Sequence, residues 1–254
     1  MTQILVTNDD GIASPGLHAV AKAMATVGET TVLAPDHNWS AAGHNKTMHK
    51  PLRIDQVSLP DGAPAYVSSG SPSDCVALAV LGFMSPPPNL VVSGINLGAN
   101  LGLDIHYSGT VAAAREGAIS GVPAIAASMD GDHDSDFDGA ARYLAHLARN
   151  VRERGMPPGI LLNVNLPEIS DDAFPPVEIT RLGHRVYDDA LVERQDPRGR
   201  TYYWIGGGRR SGISAEETDV WALGQNRISI TPLQLDLTAH ALVEDLADWD
   251  LAPR

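Results

Sequence analysis

Two adjacent carboxylates, Asp9 and Asp10, directly follow the first apolar run of the chain and are its clearest candidates for chemistry. The run Gln3–Thr7 has the length and composition of a buried strand, so both acids stand where that strand ends. Neighbouring carboxylates repel each other, and no obvious cationic partner lies near them in sequence. A hard divalent cation would relieve the repulsion, because Mg²⁺ and Mn²⁺ favour carboxylate and neutral oxygen ligands. An Asx-type turn, in which Asn8 and Asp9 bond local backbone amides, explains the same residues equally well.

Two further polar segments follow predicted strands. Residues 34–44 (APDHNWSAAGH) come after the second apolar run, and residues 94–100 (GINLGAN) come after the fourth. Asn96 in the latter segment offers a carbonyl oxygen to a metal. The tripeptide Ser-Gly-Thr at 108–110 opens a predicted helix, and the free amides of a helix N-terminus suit an oxyanion such as phosphate. Taken singly, ordinary capping explains the Ser and Thr better, because both are common N-caps.

The elements that must position these residues alternate between strand and helix over the first two thirds of the chain. Continuously apolar strands alternating with helices indicate a mostly parallel sheet that helices cover on both faces, a three-layer α/β/α fold. Ligands of such sheets bind outside the carboxyl ends of the strands, so the three polar segments are expected to meet there. The predicted strands are Gln3–Thr7, Thr30–Ala34, Ala65–Ser68, Asn89–Ser93, Pro123–Ser128 and Ile160–Asn165, and the predicted helices are Pro15–Thr26, Pro72–Gly82, Thr110–Ser120 and Asp138–Arg154.

The pattern changes after residue 175, where the segments become more polar and β-prone. The turn sequence Asp196–Gly199, with proline second and glycine fourth, predicts a long projecting hairpin, and Ala239–Trp249 predicts a C-terminal helix capped by Thr238. Two strands alone cannot bury the aromatic residues of this hairpin, so it either packs on another subunit or covers the active edge of its own sheet as a lid. These aromatic residues are Tyr187, Tyr202, Tyr203 and Trp204. We divide the single continuous domain into a catalytic body, 1–175, and an oligomerisation segment, 176–254.

Composition narrows the class of protein. The 254 residues are 43% hydrophobic and 19% charged, which excludes a disordered chain, a coiled coil and a fibrous repeat. A net charge of −13 argues against a nucleic-acid polymer as partner, because phosphate backbones require positive charge. The single cysteine, Cys75, fits a reducing compartment. With no signal-like segment and no apolar run of membrane-spanning length, we expect a soluble cytoplasmic protein without a membrane partner.

Several common catalytic signatures are absent from the chain. No G-x-G-x-x-G follows the first strand, and neither a P-loop nor a G-x-S-x-G nucleophile elbow occurs. The nine histidines show no H-E-x-x-H spacing, which argues against a zinc protease. A haloacid-dehalogenase-type phosphatase needs Asp-x-Asp after the first strand, but Gly11 occupies the position two residues after Asp9.

Eight blocks, taken together, carry a resemblance to a known family. The most specific are ILVTNDDGIASPGL (4–17), NLVVSGINLGANLG (89–102) and YSGTVAAAREGAISGVPAIAAS (107–128). The chain resembles the SurE (survival protein E) family of metal-dependent nucleotidases, and the blocks follow the family's order over nearly the whole chain. The other five blocks are 33–44, 69–80, 161–167, 179–185 and 229–238.

The resemblance implies a Rossmann-like body and one divalent metal ion per subunit, Mg²⁺ or Mn²⁺, that assists hydrolysis of nucleoside monophosphates to nucleoside and phosphate. The substrate would be a 5′- or a 3′-nucleotide, or both. The resemblance also implies a homodimer or homotetramer in which subunits exchange the hairpin and C-terminal elements. The implied metal ligands are Asp9, Asp10, Ser40 and Asn96, of which the two aspartates are also the catalytic residues. The implied phosphate-binding residues are Asn100, Ser108, Gly109 and Thr110.

Some positions depart from the family's pattern, and the roles of some residues in the reaction stay open. His37, Trp39 and Asn45 stand where many members carry other residues, which leaves substrate preference open. Either aspartate could orient or deprotonate the attacking water, and His44 and His106 are candidates for the leaving-group acid. The alternative functions are a broad-specificity acid phosphatase or exopolyphosphatase, and a non-catalytic nucleotide-binding protein on the same fold.

Overall fold

A nine-stranded sheet forms the centre of the computed structural model, which describes residues 2–169, 173–186, 189–207, 211–213, 215–249 and 251. The strands described in the chain are β1 (Gln3–Thr7), β2 (Glu29–Pro35), β3 (Ile54–Ser58), β4 (Pro64–Ser68), β5 (Leu90–Leu97), β6 (Ala124–Asp130), β7 (Ile160–Pro167), β8 (Val177–Ile179), β9 (His184–Val186), β10 (Asp189–Gln195), β11 (Thr201–Gly207), β12 (Ser211–Ile213) and β13 (Ile228–Gln234). The α-helices are α1 (Pro15–Met24), α2 (Pro72–Leu78), α3 (Gly109–Ile119), α4 (Asp138–Arg154), α5 (Asp219–Gly224) and α6 (His240–Ala247).

The sheet is mostly parallel, as the sequence predicted. Its strand order is β3-β4-β2-β1-β5-β6-β7-β13-β8, and the six strands from β4 to β7 in that order are all parallel. Antiparallel β3 and β13 flank this block, and neither was among the predicted strands. Through β13 and β8, the region after residue 175 extends the sheet of the body.

Helices cover the two faces of the sheet and complete three layers. On β1, Ile4 and Val6 pack into one core with α1 and α4, whereas Leu5 packs into the other core with α2 and α3. Successive strand residues point to opposite faces, so a strand covered on both sides needs apolar residues at consecutive positions. The predicted α/β/α architecture is confirmed, and the carboxyl ends of β1, β2 and β5 lie at one edge.

Local capping sets where the helices begin. Ser71 and Asp74 form a reciprocal capping box at the start of α2. The hydroxyl of Ser108 accepts a hydrogen bond from the Val111 amide, so α3 begins at Gly109, one residue before the predicted start. Helix α2 is shorter than predicted, because a wider π-type turn over Ala79–Phe83 replaces its last turns.

The predicted hairpin is present as β10 and β11, which pair antiparallel in a sheet of their own. The amide of Gly199 donates to the carbonyl of Asp196 at 2.9 Å and closes the predicted turn. At the base of the hairpin, β9 pairs with β12. Tyr187, one of the aromatic residues predicted to need burial, lies outside the described residues.

The C-terminal helix is confirmed, but its predicted cap is wrong. The N-cap of α6 is Ala239, and no side chain caps the helix. The amide of Thr238 donates to Oδ1 of Asp236, which places this residue in the preceding turn rather than at the helix start. Across the described parts of the chain, every helix is too short or too polar to cross a bilayer.

Candidate active site

The turn after β1 separates two roles that the sequence left unresolved. Oδ1 of Asn8 accepts from the Gly11 amide at 3.2 Å, and Nδ2 of Asn8 donates to the Gly11 carbonyl at 3.1 Å. Gly11 has a φ of +96°, a conformation that side chains disfavour. Asn8 therefore makes the Asx-type turn, and both Asp9 and Asp10 line an open cleft.

Asp9 is buried against the first turn of α3. Its Oδ1 accepts a hydrogen bond from the Thr110 hydroxyl, and its side chain is so close to Gly109 that a Cβ there would lie 2.6 Å from the Asp9 Cβ. Only glycine fits at that position without displacing the acid. Burial raises the pKa of Asp9, and the hydrogen bonds from the Thr110 hydroxyl and the amides of Gly109 and Thr110 offset only part of that rise.

Asp10 is partly exposed, and its pKa is strongly raised. Burial, followed by the charge of Asp9, raises the pKa of Asp10 to about 6. Among the described residues, neither aspartate forms an ion pair with a basic side chain. Two adjacent carboxylates whose pKa values are raised in this way lack a positive charge that would stabilise both ionised forms.

Asn96 reaches the same cleft because β5 continues past its predicted end at Ser93. One extra residue between Ser93 and Asn96 forms a β-bulge against β6, where Ser93 pairs with Ala126 and Asn96 with Ser128. Nδ2 of Asn96 donates to the Gly98 carbonyl at 2.6 Å. Since its nitrogen is engaged, the side-chain oxygen of Asn96 is the atom left to bind a cation.

The loop that carries Ser40 crosses the N-terminus of α3. The amide of Trp39 donates to the Asp9 carbonyl at 2.7 Å, and the amide of Gly43 donates to the Tyr107 carbonyl at 3.0 Å. These two bonds fix the loop on both sides of Ser40, whose side chain faces the cleft. Beside it, the rings of His37 and Trp39 stack with centroids 5.0 Å apart.

Two buried acids hold the far end of this loop. Glu116 on α3 is 3% exposed and pairs with Nε2 of His44 at 2.9 Å and Nζ of Lys46 at 2.7 Å. Burial by itself raises the pKa of Glu116, but the hydrogen bonds and charges of His44 and Lys46 outweigh it and lower the pKa below its ordinary value. Asp74 accepts from both the amide and the hydroxyl of Thr47, at 2.9 and 2.7 Å. The loop is therefore fastened to α2 and α3.

A cleft of about 690 Å³ brings most of the predicted site residues together. Gly109 and Thr110 are absent from its lining, since they lie behind Asp9 and hold it. His44 and His106 do not line the cleft either, and the contact of His44 with Glu116 gives it a structural role. The predicted residues in the lining are Asp9, Asp10, Ser40, Asn96, Asn100 and Ser108.

Several residues of this lining were not among the predicted site residues. Tyr107 directly precedes the Ser-Gly-Thr tripeptide, and that adjacency was an available signal. Asp104 lies on a 3₁₀ turn, Gly102–His106, that was not predicted. Ile205 comes from the hairpin strand β11, far along the chain, and no local pattern marks it. The others are Ala41, Leu97, Gly98 and Ala99.

The donor set suits a hard divalent ion. Within the described ranges, no three His, Cys, Asp or Glu side chains cluster closely enough to bind a metal on their own. A site here must therefore combine the two carboxylates with neutral oxygens, and Ser40 and Asn96 supply such oxygens in the same lining. Carboxylates with neutral oxygen ligands are the set that Mg²⁺ and Mn²⁺ prefer over softer metals.

Comparison with known proteins identifies the family. The family described as Survival protein SurE matches residues 4–189. The chain belongs to the SurE family. The 5′-nucleotidase SurE of Herpetosiphon aurantiacus is 51% identical over 253 residues, covering 98% of this chain and 99% of that protein. The 5′-nucleotidase SurE of Chloroflexus aggregans is 50% identical, covering 97% and 98%.

A solved structure agrees with this assignment to the SurE family. The crystal structure of the Sure protein from Aquifex aeolicus matches with a TM-score of 0.84 at 37% identity, and the match covers 96% of this chain and 98% of that one. At this coverage, the likeness extends beyond the body into most of the region after residue 175.

Proposed function

We propose that this SurE-family chain is a divalent-metal-dependent 5′-nucleotidase that hydrolyses nucleoside monophosphates to nucleoside and phosphate. One observation carries the proposal: Asp9, Asp10, Ser40 and Asn96 line one cleft together with Ser108 at the start of α3. The names of the relatives, 5′-nucleotidase SurE, support the activity. The oxygen-rich donor set supports one metal ion per subunit, Mg²⁺ or Mn²⁺.

The four predicted ligands, Asp9, Asp10, Ser40 and Asn96, would hold this ion. When bound, it offsets charge on the phosphoryl oxygens and lowers the pKa of a water molecule. The two aspartates contribute unequally to the chemistry. Asp9 is fixed by Thr110 and by the start of α3, whereas Asp10 is more exposed. We therefore assign Asp10, rather than Asp9, to orient the attacking water.

The wall beside α3 accommodates the phosphoryl group. Ser108 lies at the positive end of the α3 dipole, and Asn100 lines the same cleft. The hydroxyl and amide groups there donate hydrogen bonds to phosphoryl oxygens as their charge rises in the transition state. Because Asp9 occupies the amides of Gly109 and Thr110, Ser108 and Asn100 are the phosphate contacts that we propose.

The open side of the cleft suits a nucleoside. Tyr107 is 68% exposed and Ile205 is 86% exposed, and both line the cleft. An exposed aromatic ring and an aliphatic side chain provide apolar faces for a base or a sugar. The protein carries a net charge of −13, so a polymer with many phosphates is disfavoured where a single phosphate is not.

A substrate panel tests the function. Phosphate release is measured from 5′- and 3′-mononucleotides, p-nitrophenyl phosphate, polyphosphate and a blocked dinucleotide, each with Mg²⁺, Mn²⁺ or EDTA. We expect mononucleotides to be cleaved, EDTA to abolish release and the dinucleotide to remain intact. Faster cleavage of p-nitrophenyl phosphate or polyphosphate would favour the broad phosphatase, and nucleotide binding without hydrolysis would favour a non-catalytic protein.

We further propose that the protein is a cytoplasmic homodimer or homotetramer. Helix α6 has no buried residue, and Leu242, Val243 and Trp249 are exposed on or beside it. An isolated chain gains little from a helix of this kind, so a second subunit is the natural cover for its apolar side chains. The single cysteine, which is buried, supports a reducing compartment.

A further inference from the structure

The loop residue Asn100 is held by hydrogen bonds to asparagine side chains of β7. Its backbone amide donates to Oδ1 of Asn165 at 2.8 Å, and its carbonyl accepts from Nδ2 of Asn165 at 3.1 Å and Nδ2 of Asn163 at 2.9 Å. Nδ2 of Asn100 donates to Oγ of Ser128 on β6 at 2.8 Å. Both backbone groups of Asn100 and its side chain are thus fixed by residues of two adjacent strands.

Asparagine is seldom fully buried in a protein core, so these two residues are unusual. Asn163 and Asn165 are both fully buried, and they lie two positions apart on one face of β7, beyond the apolar Leu161 of the same face. Burying an amide costs free energy unless its polar atoms are satisfied. Oδ1 of Asn163 has no hydrogen-bond partner among the described residues, so this amide lies in the core with one unsatisfied atom.

The hydrogen bonds of Asn163 and Asn165 to Asn100 indicate why amides are buried here. A hydrogen-bonded amide on a strand inside the sheet is a rigid anchor, because packing on both faces restricts its movement. Three of the four bonds go to the backbone of Asn100. They therefore determine the position of the loop residue itself and not only the rotamer of its side chain.

We propose that Asn163 and Asn165 are positioning residues, which hold Asn100 where its side chain meets the phosphoryl group of the substrate. The inference rests on the proposed function, in which Asn100 is a phosphate contact. Neither asparagine lines the cleft, so neither touches the substrate itself. A misplacement of a binding group by about 1 Å can lower a rate by about 10²-fold, which makes such anchors matter for catalysis.

The matched controls lie on the neighbouring strand. In the register of β7 with β13, Ser229 stands opposite Asn165 and Thr231 opposite Asn163. Both side chains are buried and share hydrogen bonds with Thr180, at 2.8 and 2.7 Å, and neither lines the cleft. Ser229→Ala and Thr231→Val therefore remove buried hydrogen bonds at the same depth without touching Asn100.

The experiment compares Asn163→Leu and Asn165→Leu with these controls. The measurements are kcat and KM for adenosine 5′-monophosphate, Ki for inorganic phosphate, Kd for Mn²⁺ and Tm. We expect Asn165→Leu to lower kcat by about tenfold or more and to raise Ki by about tenfold or more. Asn163→Leu should change each constant in the same direction by about threefold. Mn²⁺ affinity should stay within about twofold, since no described hydrogen bond joins the side chain of a proposed ligand to β7. The controls should lower Tm only.

A double-mutant cycle separates failure of the positioning role from failure of the proposed function. If Asn165 acts through Asn100, then Asn165→Leu adds little to Asn100→Ala, and the two effects are strongly non-additive. Full additivity, or a fall in Tm with unchanged kcat and Ki, overturns the positioning role. An unchanged Ki and kcat in Asn100→Ala alone overturns the assignment of Asn100 as a phosphate contact.

A milder variant keeps the test informative if the leucine variants do not fold. Ser128→Ala removes only the bond to Nδ2 of Asn100 and leaves a small hydroxyl-sized gap. We expect Ki for phosphate to rise about threefold with Tm nearly unchanged. An unchanged Ki in this variant contradicts the anchored geometry.

Discussion

The carboxyl edge of the sheet and the C-terminal segment, residues 176–254, depart from ordinary burial in opposite ways. At the edge, polar and charged groups are buried, and Asp9, Thr110 and Asn165 lie inside the body with their contacts made by neighbouring elements. In the C-terminal segment, apolar groups are exposed, and Trp204 and Leu242 face outward.

Two of these departures support the partners proposed above. Carboxylates with raised pKa values in the cleft support the proposed cation, and exposed aromatic and aliphatic side chains support the proposed second subunit. The two regions meet at Ile205, which belongs to the hairpin and lines the cleft that contains Asp10. Variants of each region test whether the two regions act independently.

Removing either cleft aspartate should produce the largest loss of activity without a loss of stability. We expect Asp9→Asn and Asp10→Asn each to lower kcat/KM by about 10²–10³-fold, the scale for losing one preorganised electrostatic group. In EDTA at pH 7.5, both variants should unfold at the same or a higher Tm than the parent, because a carboxylate whose ionisation is disfavoured has been removed. Phosphate release and thermal unfolding measure the two effects.

The exposed acid of β3 provides the control for those variants. Asp55→Asn should change neither kcat/KM nor Tm, since Asp55 is exposed and outside the cleft. Wild-type activity in Asp9→Asn would contradict the metal site.

Shortening the hairpin tests whether it is an interface, a lid or both. Replacing residues 189–207 by a short Gly linker should reduce the mass in light scattering from a dimer or tetramer toward a smaller species. Because Ile205 lines the cleft, KM should also rise by about tenfold. A point variant, Ile205→Ser, isolates the lid contribution and should raise KM without changing the mass.

The outcomes distinguish the two original hypotheses for the hairpin. If the parent is already a monomer at micromolar concentration and only KM changes, the hairpin is a lid. If the mass falls while Ile205→Ser has no effect on KM, it is an interface alone.

Metal affinity should rise with pH through the titration of Asp10. The raised pKa of Asp10, about 6, means that the folded protein without metal holds this proton more tightly than the unfolded chain does. The unfolding free energy that Asp10 contributes therefore falls as pH rises from about 4 to about 6, and metal must displace the proton. We expect the Kd for Mn²⁺, measured by calorimetry, to rise by at least about tenfold from pH 7 to pH 5.

The Asp10→Asn variant identifies the group responsible. This variant should bind Mn²⁺ weakly and with a flatter pH dependence than the parent. An unaltered pH slope in the variant would assign the titration to another group.

Releasing the loop that carries Ser40 should have the smallest effect. Glu116→Gln leaves Lys46 without its charged partner and should cost about 1–3 kcal/mol of unfolding free energy, while KM rises a few-fold. The lowered pKa of Glu116 means that its contribution is present above the pKa of the unfolded chain and is lost as pH falls through the folded value. The stability difference between parent and variant should therefore shrink in acid, as urea unfolding can measure.

An exposed glutamate on α4 provides the comparison. Glu153 is 66% exposed and lies 3.6 Å from Arg152, so Glu153→Gln should change stability by less than about 0.5 kcal/mol at any pH. Equal effects in the two variants would contradict the proposed stabilisation of the loop by the contacts of Glu116 with His44 and Lys46.

Local chemistry made the body and much of the site predictable from the sequence. Short continuous apolar runs that alternate with helical patterns indicate strands buried on both faces, and acids directly after such a run are expected at the sheet edge. The positions of Asp9, Asp10 and Ser108 at a strand end and a helix start therefore needed no tertiary information, whereas the choice between a ligand role and an Asx-type turn did. The hairpin turn at 196–199 was equally predictable, because proline and glycine fix the conformations that a turn requires.

Other features depend on contacts between distant segments and were out of reach. The extra residue that carries Asn96 into the cleft is a bulge defined only by pairing with β6. Strand β13 joins the sheet antiparallel to β7, and a strand's partner depends on the packing of the whole sheet. The turn before α6 displaced the predicted cap Thr238, because the Asp236 carboxylate accepts the Thr238 amide.

The chemical types at the site, two carboxylates beside neutral oxygens and a helix start, are evident from short runs of residues. Which of these groups is held by which neighbour depends on the folded chain. The fold turned the Thr110 hydroxyl toward Asp9, placed Asn163 and Asn165 beneath Asn100, and brought Ile205 to the cleft. Those contacts join residues far apart in sequence, and their free energy exists only once the sheet has brought the segments together.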